Sequence, residues 1–224
     1  MGKRNFRLLN YIGNCILEVI YPHGDRCIVC NKDLESTDDI CSNCYSNIYF
    51  IKEKTYIKDF HMEVNVVTTY STLIKNLILD FKYKNNFYAG EFLAKLISNK
   101  IIKEDINFDV ITFVPSSKNS IKKRGFNQCE VLALNIGNIT NNSVKTLILK
   151  NKEVSEQKTL TKEERKINLL NAFSFNSRYN IKNKSILLID DIITTGSTLY
   201  FCKKILQKEG AKEIILLTIA KSSI

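Results

Sequence analysis

The segment ILLIDDIITTGSTLYFCKKILQKEG, residues 186–210, constrains the fold more than any other stretch of the chain. Residues 186–189 are apolar without interruption, the pattern of a strand buried on both faces in a parallel sheet covered by helices. A short polar loop follows, and then a helical pattern over about 197–209. Strand, loop and helix in that order make half of a βαβ unit, so the segment predicts an α/β fold. At the turning point two adjacent carboxylates, Asp190 and Asp191, precede Thr194, Thr195, Gly196, Ser197 and Thr198.

The same alternation runs through the chain from residue 61. Strands are expected at 64–70, 109–115, 144–150, 185–190 and 213–220, and helices at about 72–82, 88–103, 126–139 and 197–209. The result is a mainly parallel sheet flanked by helices. Ahead of it, Leu8, Leu9, Ile12, Ile16, Val19 and Ile20 lie near helical spacing until Pro22. Residues 23–48 are polar and carry cysteines. The boundary is therefore placed near 60, giving an appendage at 1–60 and an α/β domain at 61–224. Residues 151–171 are polar with mixed charge and read as an exposed loop or a short mobile helix.

The net charge of +10 is unevenly distributed. Residues 1–60 hold eight basic and eight acidic side chains, whereas 61–224 hold 25 basic and 15 acidic ones. That excess favours phosphate-bearing partners, although lysines spread over solvated faces give the same total. No signal peptide and no run of 18 apolar residues is visible, so the expectation is a cytoplasmic protein without membrane insertion.

Of seven cysteines, Cys15, Cys129 and Cys202 lie in apolar stretches and read as small buried residues. The other four form CIVCNKDLESTDDICSNC, with Cys27, Cys30, Cys41 and Cys44 as two C-x-x-C pairs. Two such pairs supply four thiolates to one tetrahedral zinc ion, a closed shell with a structural role. The intervening loop has too little apolar content to hold its shape, and metal binding would supply that folding energy. Disulfides are disfavoured in a cytoplasmic setting.

The acid pair calls for a ligand at the carboxyl end of its strand. Two carboxylates there accept hydrogen bonds from vicinal ribose hydroxyls and can touch a substrate-held magnesium ion. The Thr/Gly/Ser loop and the following helix N-terminus suit a phosphate. The lysine of a Walker-type loop is missing. ILLIDDIITTGST closely resembles the motif by which type I phosphoribosyltransferases bind 5-phosphoribosyl 1-diphosphate (PRPP). VPSSKNSIKKRGFNQCEVLA and SEQKTLTKEERKINLLNAF resemble two segments of the ComF (competence protein F) family, and the cysteine module before the domain has that family's arrangement. The resemblance spans residues from about 20 to the end.

The resemblance implies a type I phosphoribosyltransferase fold with an N-terminal zinc ribbon, and a site for PRPP or a related ribose 5-phosphate ligand with magnesium. Asp190 and Asp191 would hold the ribose as the catalytic pair, and Thr194, Thr195, Gly196, Ser197 and Thr198 its 5-phosphate. Ser116, Ser117, Lys118 and Arg124 would receive pyrophosphate, where Ser116 and Ser117 replace the bulkier or His-containing pair often found after V-P. Gln157, Arg165 and Asn168 would belong to a closing lid. Cys129 stands where the family usually has Ala. Family membership implies a role in DNA uptake, with single-stranded DNA and a DNA-translocating helicase as partners. The alternative is an active magnesium-dependent phosphoribosyltransferase in nucleotide metabolism whose acceptor the sequence does not reveal. Phe81, Tyr83, Phe87 and Tyr88, interleaved with Lys82 and Lys84, would suit stacking on a single strand, and equally well core packing.

Overall fold

A computed structural model describes residues 26–34, 38–151 and 172–222. The chain divides into two compact units, Met1–Ser46 and Asn47–Ile224. This division falls earlier than the expected boundary near 60. Residues 47–60 join the second unit through backbone pairing, which composition does not reveal. Strand β1 (Thr55–Ile57) runs antiparallel to β2 (Met62–Thr69), and Phe50 forms a bridge with Thr68. Buried Lys100 also donates to the Ile51 carbonyl at 2.8 Å and to Glu104 at 2.6 Å.

The second unit is built on a five-stranded sheet of order β1-β2-β7-β6-β3, with β3 at Val110–Phe113, β6 at Ser185–Ile193 and β7 at Glu213–Lys221. Strands β2, β7, β6 and β3 are parallel neighbours. Residues 186–189 are wholly buried, as a strand covered on both faces requires. A two-stranded antiparallel piece, β4 (Ile148–Lys150) with β5 (Phe173–Phe175), stands apart from the main sheet. The strand expected at 144–150 thus breaks in two. Val144 bridges to Ile111 at the sheet edge, while 148–150 turns to β5.

Helix α1 (Ser42–Tyr45) belongs to the first unit. In the second, α2 (Thr72–Tyr83) buries Ile74, Leu77, Ile78 and Phe81 at helical spacing, and Ser71 caps its start. Helix α3 (Phe87–Lys103) begins with Asn86 accepting from the Ala89 N–H. Helix α3 packs against α2 and α5 (Gln128–Thr140), and α5 packs on β3 and β6. Helix α6 (Ser197–Lys208) packs on β5, β6 and β7.

Helix α4 (Lys118–Arg124) has no counterpart in the sequence reading, because KNSIKKR lacks an apolar repeat. Its local signals are a Ser117 N-cap and basic residues in its last turn, which complement the helix dipole. The N-terminal helix expected before Pro22 and residues 152–171 of the polar segment lie outside the described residues.

Candidate functional site

The acids Asp190 and Asp191 do not end their strand. Strand β6 continues to Ile193 because β7 is long enough to keep pairing, with Ile192 opposite Ala220 and Ile193 opposite Lys221. The carboxylates therefore sit within the rigid sheet, and the loop begins after them.

Asp190 Oδ1 accepts from the Asp191 N–H at 2.9 Å and from the Cys129 thiol at 3.4 Å. Asp191 Oδ1 accepts from the Ile192 N–H at 2.8 Å, and its Oδ2 faces the ammonium of Lys82 in an ion pair. The side chains of that pair retain 14% and 8% of their exposure, so it is largely shielded from water. Burial and the neighbouring Asp191 charge push the Asp190 carboxyl up to about 8. Burial alone would lower Lys82, but the Asp191 carboxylate outweighs it and holds the ammonium charged. Burial, reinforced by both carboxylates, raises the Cys129 thiol and keeps it protonated.

The VPSS segment closes in from the next strand. Ser116 Oγ donates toward Asn127 Oδ1 at 2.9 Å and Gln128 Oε1 at 3.2 Å. Arg124 Nη1 donates to Gln128 Oε1 at 2.7 Å, and its guanidinium lies 5.0 Å from the centre of the Tyr83 ring. Asn127 Oδ1 accepts from the Cys129 N–H, which leads back to Asp190. The contacts thus close a ring: Lys82 and Tyr83, Arg124, Gln128, Ser116, Asn127, Cys129, Asp190, Asp191 and Lys82 again. Ser117 caps α4 instead, and Lys118 is exposed on it.

In the loop, Gly196 has φ +82° and caps α6 without a side chain. A Cβ there would stand 2.8 Å from Met62 Cε and 3.2 Å from Ile57 Cγ2. Close packing and backbone conformation both call for glycine. Thr195 Oγ1 and Ser197 Oγ are 3.0 Å apart, and the α6 N-terminus opens next to them. Gln157, Arg165 and Asn168 lie outside the described residues.

Lys82 is a site residue that sequence reasoning did not place here, having read it with Lys84 among the aromatics of a single-strand stacking surface or of core packing. The signal was its place in the last turn of α2, one residue after a core aromatic. Phe81 is 1% exposed and packs on Phe87 and Phe126, with ring centroids at 6.3 and 5.3 Å. The interleaved stretch is thus divided: Phe81 is core, Lys82 is paired, and Tyr83 is exposed beneath Arg124.

In the first unit the sulfurs of Cys27, Cys30, Cys41 and Cys44 all lie within 4.8 Å of one another. Cys30 and Cys41 Sγ are 3.7 Å apart, too far for a disulfide at about 2.05 Å. The separation matches an edge of about 3.8 Å in a tetrahedron of sulfurs 2.3 Å from a central ion. The Cys44 N–H points at Cys41 Sγ at 3.5 Å, and the turn after Cys30 is made by Asn31 at φ +60°. These four residues can hold one metal ion.

The Phosphoribosyl transferase domain family matches residues 91–223, which cover β3, the VPSS segment and the whole acid–loop–helix unit. The chain belongs to this family. Competence protein F of Haemophilus influenzae is 29% identical over 243 residues, 99% of this chain and all of that protein. Competence protein ComFC of Bacillus subtilis is 27% identical, covering 89% of this chain and 79% of its own. The alignment with Competence protein F thus runs through both units of the chain, as the ComF resemblance requires. Among solved structures, the Bacillus subtilis glutamine PRPP amidotransferase covers 58% of this chain and 25% of its own, at 18% identity and TM-score 0.43. The purine phosphoribosyltransferase of Pyrococcus horikoshii covers 59% and 82%, at 16% identity and TM-score 0.38. Family membership stands on the sequence matches.

Among the described residues no helix is long and apolar enough to cross a membrane.

Proposed function

We propose that the second unit binds PRPP or a related ribose 5-phosphate ligand, and that the protein serves DNA uptake in the cytoplasm, as its competence-protein relatives' names suggest. One observation carries the ligand reading. The acid pair, Asp191 buried and Asp190 half-buried, is joined through Cys129 and Asn127 to Ser116 just past β3, while β6 leads into a glycine-capped helix N-terminus. In this reading Asp190 and Asp191 receive the ribose hydroxyls, and residues 194–198 with the α6 N–H groups receive the 5-phosphate. Ser116, Ser117, Lys118 and Arg124 face the diphosphate, and Gln157, Arg165 and Asn168 close over it.

A magnesium ion suits the carboxylate oxygens but not the protonated Cys129 thiol, which is too soft a ligand for it. Magnesium would therefore sit mainly on ligand oxygens, where it neutralises the diphosphate. The chain's own residues bind and orient the ribose, and a closed site excludes water from its C1. In the first unit, Cys27, Cys30, Cys41 and Cys44 hold zinc in a structural role.

Calorimetric titration of the zinc-loaded protein with PRPP, with and without magnesium, tests the reading. Binding that needs magnesium and disappears in an Asp190→Ala/Asp191→Ala variant supports it; no binding by the folded wild type sinks it. Transfer to an acceptor would add catalytic turnover. Oligonucleotide binding that weakens steeply with salt would add direct DNA contact, and co-purification of a helicase would add the expected partner.

A further inference from the structure

The acid pair already owns a cation. Lys82 arrives from the last turn of α2, and its ammonium meets Asp191 Oδ2 in a largely shielded pair. Its backbone is held by Phe81, which Phe87 and Phe126 fix in the core. Asp190 and Asp191 each offer a carboxylate oxygen within 4.8 Å of the other, a pair that would otherwise attract a divalent metal. Among the described residues Asp191 meets only the Lys82 ammonium at Oδ2 and the Ile192 N–H at Oδ1, which leaves part of the roughly four acceptor sites of a carboxylate open. Charge there is neutralised while capacity to accept a hydrogen bond remains. A group that donates hydrogen without bringing positive charge, such as a sugar hydroxyl, satisfies both conditions. A free metal ion satisfies neither, because it must approach an ammonium already in place.

We propose that Lys82 is a specificity-determining positioning residue, a tethered counter-ion that bars free divalent cations from Asp190 and Asp191 and keeps the pair for ligand hydroxyls. It deepens the ribose reading of this site and rests on it for the identity of the ligand. Metal then enters only on the ligand's phosphates. The exclusion works through charge at a fixed place, so arginine at position 82 preserves it and methionine, of similar length but uncharged, abolishes it.

The test titrates zinc-loaded full-length protein with Mn²⁺ alone, followed by the loss of the free-ion electron paramagnetic resonance signal. Circular dichroism verifies folding. Wild type and Lys82→Arg are expected to show no Mn²⁺ site that Asp190→Asn removes. Lys82→Met is expected to gain such a site, at least about tenfold tighter than any wild-type binding, and to lose it again in Lys82→Met/Asp191→Asn. A purely structural lysine would not produce this gain or its suppression by arginine. A wild-type Mn²⁺ site removed by Asp190→Asn overturns the proposal even if Lys82→Met does not fold. A folded Lys82→Met variant that gains nothing overturns it too. PRPP binding is measured separately: its failure with metal exclusion intact refutes the ribose ligand and leaves the counter-ion, and the converse leaves the ligand.

Discussion

Replacing Gly90 by alanine tests how firmly α3 is packed against α2, the helix that carries Lys82. Gly90 lies inside α3, where alanine is expected to stabilise by about 1 kcal/mol through helix propensity. The structure reverses that sign. A Cβ at position 90 would stand 2.6, 2.8 and 3.0 Å from three atoms of the Phe81 ring. That ring cannot swing aside as a flexible chain end would, because it is buried against Phe87 and Phe126. Overpacking of this kind costs about 1–3 kcal/mol, which set against that gain leaves a net loss of up to about 2 kcal/mol. In a unit of this size the loss lowers the melting temperature by up to roughly 8 °C. Thermal and urea unfolding of Gly90→Ala, Phe81→Leu and the double variant provide the assay. The double variant should lose less than the sum of the two single losses, since leucine relieves the contact. A Gly90→Ala protein more stable than wild type, or strict additivity, would refute the packing argument. Because Phe81 precedes Lys82, the same variant should also weaken the Lys82–Asp191 contact.

Asp190 gives a pH dependence with a definite sign. Its folded-state value is raised to about 8, so the stability it contributes is complete below the ordinary carboxylate range near 3.8 and is lost as pH rises through about 8. Wild type should therefore lose stability relative to Asp190→Asn between about pH 4 and 8 and level off above that, by less than about 1.4 kcal/mol per unit because Asp190 keeps intermediate exposure. Parallel unfolding curves for the two proteins across that range would contradict it. Gly196→Ala should cost about 1–2 kcal/mol from its positive φ, and should reduce PRPP affinity beyond that stability loss by shifting the α6 N-terminus; unchanged calorimetric affinity would count against the phosphate role of the loop. Cys44→Ser should abolish stoichiometric zinc in the purified protein, measured by plasma emission, and full retention would remove Cys44 from the metal shell.

Much of the candidate site could be read in the chain because its parts are local. The acid pair, the Thr-Thr-Gly-Ser-Thr loop and the following helix are contiguous, and two C-x-x-C pairs suffice to indicate a metal knuckle. Residues 186–189 announced a covered parallel strand through composition alone. Other features escaped for physical reasons. Helix α4 has no apolar face to give it a period, and the exposed cations of KNSIKKR look the same in a loop or a helix. Residues 47–60 belong to the sheet by backbone pairing, which carries no residue signature. That β6 runs on past its acids depends on the length of β7, more than twenty residues away in sequence.

Sequence by itself determined the α/β class and the order of its main strands and helices, and it pointed to the chemistry proposed for 190–198 and for the four cysteines, because burial pattern and motif spacing act over a few residues. Tertiary structure alone decided which charges meet. Lys82 stands more than a hundred residues before Asp191, amid lysines of the same composition, and only the packing of Phe81 under α3 aims it at the carboxylate. Likewise Cys129, read from sequence as a small buried residue, becomes the link between Asp190 and the Ser116 side of the site. Electrostatic pairing inside a protein depends on distance and shielding from water, and both are set by the fold.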